Sequence, residues 1–385
     1  LTALLDGLFD GISIGSVLLL AALGLAIVFG LMGVINMAHG ELMMMGAYTT
    51  FVVQNLFKPL GAPWFGLYII VALVAAFIVT AIMGLILERG VIRYLYGRPL
   101  ETLLATWGVS LILQQFVRSV SWMLVIGLSL FCILFFGAMS FLSRRPNFQR
   151  IRSWALVILL PLSTGIAWNV ATFIGDVYKL PVTKPWFGAQ NVDVTAPGWL
   201  RGGLKLGTSQ IPYTRLFILG LTIVCILGVY TFLHRSAWGL RIRAVTQNRE
   251  MSACLGIPTQ TVDALTFAIG SGLAGIAGCA VSFLGSVGPN TGQNYIVDTF
   301  MVVVVGGVGK LVGSIVAALA IGIANYVIGT NALGPLVASV PFLSDFFAFF
   351  ANASMAKVMV FALIISFLQF KPAGMFPQKG RTVDA

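Results

Sequence analysis

Long apolar runs separated by short polar ones dominate this chain. A membrane-crossing helix needs about 20 mostly apolar residues, and such runs lie at about 11–34, 37–57, 64–87, 101–120, 122–142, 153–175, 213–233, 263–287, 311–330 and 346–370. A further run, at about 295–309, is too short for a comfortable crossing and reads as a half-helix or re-entrant segment. Such segments are tolerated only when buried in protein or lining a cavity. The pattern predicts an all-α, polytopic membrane bundle of about ten transmembrane helices, with residues 1–385 forming one domain.

Composition sharpens this picture. Of 385 residues 58% are hydrophobic and 9% charged, against about 25% charged in a soluble domain, so lipid must cover what water cannot. The 43 glycines fit membrane helices that pack backbone to backbone. The net charge of +11 comes without a basic stripe interleaved with aromatics, which argues against a nucleic-acid partner. Instead the basic residues fall between spans and set orientation. With the N-terminus outside and every run crossing, the inner loops hold Arg89, Arg93 and Arg98; Arg144, Arg145, Arg150 and Arg152; Arg235, Arg241, Arg243 and Arg249; Lys310; and Lys371, Lys379 and Arg381. These are fifteen of 23 basic residues, and they place the C-terminus in the cytoplasm. Residues 1–10 carry no Lys or Arg, so the first span is expected to stay in the mature protein and not to act as a signal peptide.

Candidate chemistry is sparse. Cys132, Cys225, Cys254 and Cys279 lack metal-ligand spacing, and His39 and His234 are too few for a His-rich site, so no metal is expected. No Ser/His/Asp constellation stands out, and no catalytic residue is assigned. GGVGKL at Gly306–Leu311 fails as a phosphate loop, because Val304 and Leu311 stand where Gly and Ser/Thr are needed. Gly270, Gly272 and Gly275 spell a dinucleotide fingerprint with no βαβ pattern around it, and read as close helix packing.

Two polar stretches carry more. The longest runs from about Asp176 to Pro212 and is placed outside. Its Trp186 and Trp199 suit either a membrane-surface segment or a docking platform. The other is His234–Asp263. There Asn248 can cap a short helix starting at Arg249, Met251, Cys254 and Leu255 share one face, and Gly256 with Pro258 supplies the stop. An amphipathic helix of this kind, basic around Arg241, Arg243 and Arg249, suits either a groove on a partner or the bilayer surface.

Polar residues within or between spans are the pathway candidates. Asn36, His39 and Glu41 read either as a watered turn or as a pathway or gating element. Lys357 precedes Lys371 by 14 residues, about 21 Å of helix, which puts it inside the core, either snorkelling or paired with Asp298. Gln114, Gln115, Asn325 and Tyr326 are further candidates.

Gly239, Arg243, Ala244, Asn248, Ala253, Gly256 and Ile257 form a pattern that resembles the coupling loop of permeases in the branched-chain amino acid and urea branch of ABC importers. GLAIVFGLMGVINMAHGELMMMGAY at Gly24–Tyr48 is similar to the same family, and its INMAHGE portion looks closer to urea-type than to amino-acid members, as do Pro185–Leu200 and Asp298–Ser314; Ser354–Pro377 fits the family too. The resemblance implies a permease subunit importing urea or short amides. Residues 234–263 would be a cytoplasmic coupling loop in which Arg241, Arg243, Asn248, Arg249, Glu250 and Gly256 act on an ATPase. It further implies a second homologous permease, two cytoplasmic ATPases carrying ATP and Mg, and a soluble extracytoplasmic binding protein. No cofactor is expected in this chain. Relative to shorter members, residues 121–182 read as an inserted helical hairpin, expected to pack at the periphery. The alternatives are a branched-chain amino acid permease and, from other classes, a passive urea or amide channel and a membrane-embedded enzyme.

Overall fold

The computed structural model describes residues 2–143, 148–178, 185–188, 190–206, 209–330 and 349–376. The expected helices are present: α1 (Thr2–Ile27), α2 (His39–Phe57), the short α3 (Ala62–Phe65), α4 (Tyr68–Gly90), α5 (Pro99–Ser119), α6 (Trp122–Ser143), α7 (Phe148–Tyr178) and α8 (Tyr213–Arg235). Beyond these come α9 (Ala237–Gln247), α10 (Arg249–Cys254), α11 (Thr259–Ser282), α12 (Thr291–Gly306), α13 (Leu311–Gly329) and α14 (Ala353–Phe370). Among the described residues seven helices are long and apolar enough to cross a membrane. Three expected spans, α2, α7 and α14, fall outside that group, and the apolar parts of α7 and α14 are shorter, Val157–Phe173 and Ser354–Phe370. The short run near 295–309 is α12, of 16 residues, or about 24 Å of helix. The part of the last expected span before residue 349 lies outside the described residues.

Two elements add to what the sequence pattern predicts. The long polar stretch carries a β-hairpin, β1 (Gly203–Leu206) paired antiparallel with β2 (Ser209–Pro212). The loop at 234–263 holds two helices, α9 as well as the expected α10.

The chain divides into two compact units, residues 1–110 with 192–385, and residues 111–191. The second unit contains the α6–α7 hairpin and is broader than the insertion at 121–182 read from the sequence. In the first unit, α1 and α11 are the most enclosed spans, 83% and 78% buried, against 28% for α4 and 22% for α8. The two faces of α4 explain that difference. Ala72, Ala76, Thr80, Gly84 and Glu88 recur at four-residue spacing and are buried. Ile70, Val74, Ile78, Ile82 and Ile86 form the opposite, exposed stripe. Small residues inward and branched aliphatics outward is the arrangement lipid favours.

The small face of α4 meets α11, whose glycines admit backbone contact on three sides. A Cβ at Gly278 would strike the carbonyl oxygen of Met43 in α2, one at Gly275 would strike Thr80 of α4, and one at Gly270 would lie 2.8 Å from the carbonyl oxygen of Gly24 in α1. The G-x-G-x-x-G run is therefore a packing surface, as its spacing suggests.

Candidate functional site

At one end of the bundle, beyond α8 and α11, lie α9 and α10. Ser236 caps α9, its Oγ accepting from Gly239 N at 2.9 Å. Ile242 and Val245 pack α9 onto Val262, Phe232 and Leu233. Asn248 ends this helix, its backbone N–H donating to Ala244 O, and its side chain caps the next, Oδ1 accepting from Met251 N at 2.9 Å. At the far end Gly256, at φ +80°, closes α10 as glycine does in a left-handed cap. Its N–H donates to Ala253 O and that of Ile257 to Ser252 O, each at 3.0 Å. The result is a six-residue helix with one buried side chain, Ser252.

Its predicted apolar face points outward: Met251 is 59% and Leu255 76% exposed, with Cys254 also exposed. Glu250 and Arg241 are exposed and Arg243 is half-buried. Arg241 lies over the Trp238 ring, 4.7 Å from its centroid. Arg249 departs from the grouping read from sequence, since it turns toward the bundle. Its Nη2 meets Asp263 Oδ2 at 2.5 Å, and its guanidinium lies 4.9 Å from the Tyr96 ring centroid. Nearby, fully buried Glu88 faces Arg93 at 3.9 Å. Burial, with the Asp263 and Glu88 carboxylates next, pushes the Tyr96 hydroxyl far above its ordinary range, so it stays neutral. Sequence reasoning gave Glu88, Arg93, Tyr96 and Asp263 no site role. The available signal was the scarcity of acids, 12 in all, with two placed at the ends of spans.

The Asn36–His39–Glu41 group is not a watered turn. Asn36, His39 and Glu41 are all at most 1% exposed. Asn36 Oδ1 accepts from Ala38 N at 3.1 Å, and His39 Nε2 lies 3.0 Å from Ala21 O of α1. Ser110 Oγ donates to Glu41 Oε1 at 3.1 Å. These residues join α2 to α1 and α5. Gln114, four residues further along α5, is buried, while Gln115 is exposed.

At the opposite end of α11, a cavity of about 580 Å³ gathers residues that lie far apart in sequence. Lys357 of α14 and Asp298 of α12 line it and pair, Nζ donating to Oδ2 at 2.9 Å. Asn325 and Tyr326 of α13 and Asn294 and Tyr295 of α12 add polar groups, and Ile14, Val17, Leu18 and Leu284 supply an apolar wall. Four sequence candidates thus meet here, and Asn36, His39, Glu41 and Gln114 do not.

The family model described as "Branched-chain amino acid transport system / permease component" matches residues 7–368. The chain is 26% identical over 373 residues to the high-affinity branched-chain amino acid transport system permease protein BraD of Pseudomonas aeruginosa, covering 96% of this chain and 95% of the relative. It is 25% identical over 323 residues to the corresponding LivH protein of Escherichia coli, covering 83% and 84%. A shorter match, 30% over 135 residues, links it to the ribose import permease protein RbsC of Bacillus subtilis, covering 32% and 41%. No solved structure matches.

Proposed function

The chain belongs to the branched-chain amino acid transport permease family, and from that premise we propose that it is one membrane subunit of an importer driven by ATP hydrolysis on separate ATPase subunits. The observation that carries the reading is α10, a capped helix beyond the spans that holds Met251 and Leu255 out of the bundle. An apolar face of that kind fits a groove on a partner protein. In this reading the α10 end faces the cytoplasm and two ATPases, which bind ATP and Mg. A second, homologous permease completes the membrane part, and a soluble binding protein delivers cargo to the cavity end. The chain itself moves solute and hydrolyses nothing.

The cargo is an amino acid with an apolar side chain. Support comes from the branched-chain amino acid relatives and from a cavity that combines an ion pair with an aliphatic wall. Urea or a short amide is the second reading, favoured by the INMAHGE motif and by Asn294 and Asn325 in the cavity. The test is uptake into vesicles holding the chain with its partner permease, ATPases and binding protein, with and without internal ATP. ATP-dependent leucine uptake unaffected by urea is the expected result. ATP-dependent urea uptake unaffected by leucine moves the cargo to urea. Flux that persists without ATP or the ATPases overturns the importer in favour of a channel.

A further inference from the structure

Lys357 is 47% exposed although it lies on a helix that continues apolar for more than three turns after it. An ammonium in such a place costs several kcal/mol facing lipid, so it faces a water-filled space or another protein. Asp298, its partner, is 6% exposed and sits in the wall of the same cavity. The pair engages one carboxylate oxygen and one ammonium donor, and an ammonium has three donors. Asn325 lines the cavity and its buried Oδ1 has no hydrogen-bond partner. Beside these charges stand Ile14, Val17, Leu18 and Leu284. The volume of about 580 Å³ falls within the range of small-ligand sites.

We infer that the Asp298–Lys357 pair is a transit site for the zwitterionic head of an α-amino acid, with Lys357 taking the carboxylate, Asp298 the ammonium, and the aliphatic wall the side chain. This deepens the importer reading and rests on it. The chemistry is complementary in sign and size: two opposite charges a hydrogen bond apart accept a ligand whose own opposite charges are equally close. Inserting the ligand between them replaces one ion pair with two, so no charge is left unpaired. Urea, neutral and lacking an aliphatic part, uses neither feature.

The test is leucine uptake by the reconstituted transporter with Lys357→Met, Asp298→Asn and the double variant, each confirmed to assemble by co-elution with its partners. Charge-assisted hydrogen bonds predict a rise in leucine KM of about 10- to 100-fold for each single variant. The double variant separates binding from scaffolding. It leaves no buried unpaired charge, so a purely structural pair predicts that leucine uptake returns to the wild-type level, whereas a ligand site predicts that it stays low. Competition adds a chemical signature. Lys357→Met should lose its preference for leucine over leucinamide, and Asp298→Asn its preference for leucine over the deaminated acid. Wild-type leucine KM in either single variant, restored uptake in the double variant, or a wild-type transporter that carries urea and no leucine would each overturn the inference. Leucine flux that ignores ATP overturns the importer and leaves the site standing or falling on the same variants.

Discussion

Arg249→Ala is the sharpest perturbation of the link between α10 and the bundle. The Asp263 side chain it abandons is 4% exposed, while Arg249 itself is 45% exposed. Removing one partner of a fully buried pair costs about 3–5 kcal/mol, and an exposed pair contributes about 0–1 kcal/mol. With Arg249 nearly half in solvent, and its stacking on Tyr96 also lost, about 2 kcal/mol is the reasoned figure. Because α10 has six residues and one buried side chain, most of that loss falls on its seating against α11, a shift of roughly 30-fold. Two measurements read it. Hydrogen exchange at Gly256 and Ile257, whose amides close the helix, should quicken by about that factor. Solute moved per ATP hydrolysed should fall, since under the proposed docking Met251 and Leu255 would keep their contact with the ATPase while their motion would reach α11 less firmly. Arg249→Ala combined with Asp263→Asn should recover part of both readouts, because no buried charge is then unpaired. Unchanged exchange together with an unchanged transport-to-hydrolysis ratio would refute the reasoning.

Three further outcomes are expected. Met251→Ser with Leu255→Ser should leave thermal stability within about 0.5 kcal/mol, since both side chains are exposed, yet abolish co-purification of the ATPase subunits. Gly278→Ala places a Cβ against the Met43 carbonyl, so it should destabilise the bundle by about 1–3 kcal/mol, read as a lower melting temperature in detergent. Ser110→Ala removes a donor to the buried Glu41 carboxylate and should cost about 1.5–3 kcal/mol in the same assay.

Much of this architecture is legible in residue order because lipid imposes a length and a composition on each span. The cap of α10 was legible too, since Asn248, the face of Met251 and Leu255, and Gly256 are local signals spaced by one short helix. The preceding α9 carries the same kind of local signal in Ser236 and the Ile242–Val245 spacing, set among the basic residues Arg241 and Arg243 that also suit a cytoplasmic loop. His39 and Glu41 show where local reading stops. The same residues suit a wet turn or a dry interior, and contacts with α1 and Ser110, distant in sequence, decide between them. The β-hairpin at 203–212 has strands of four residues, too short to display alternation. The Asp298–Lys357 pair joins two residues 59 apart in sequence, and of its two partners helix depth singles out Lys357 alone. The cavity around it depends on which faces of α1, α12 and α13 meet, and periodicity carries no sign of that.

The C-terminal end of α12 has a consequence for biosynthesis. Its Val305 carbonyl accepts from the backbone N–H of Met375 at 2.8 Å, and Gly374 lies beneath the glycine turn that leads into α13. That acceptor waits for a donor made about 70 residues later, and at 5–20 residues per second the wait is roughly 4–14 s. Throughout it the α12–α13 turn lacks its closing segment. A nascent chain stalled before residue 375 would carry every described span and still lack this closing contact.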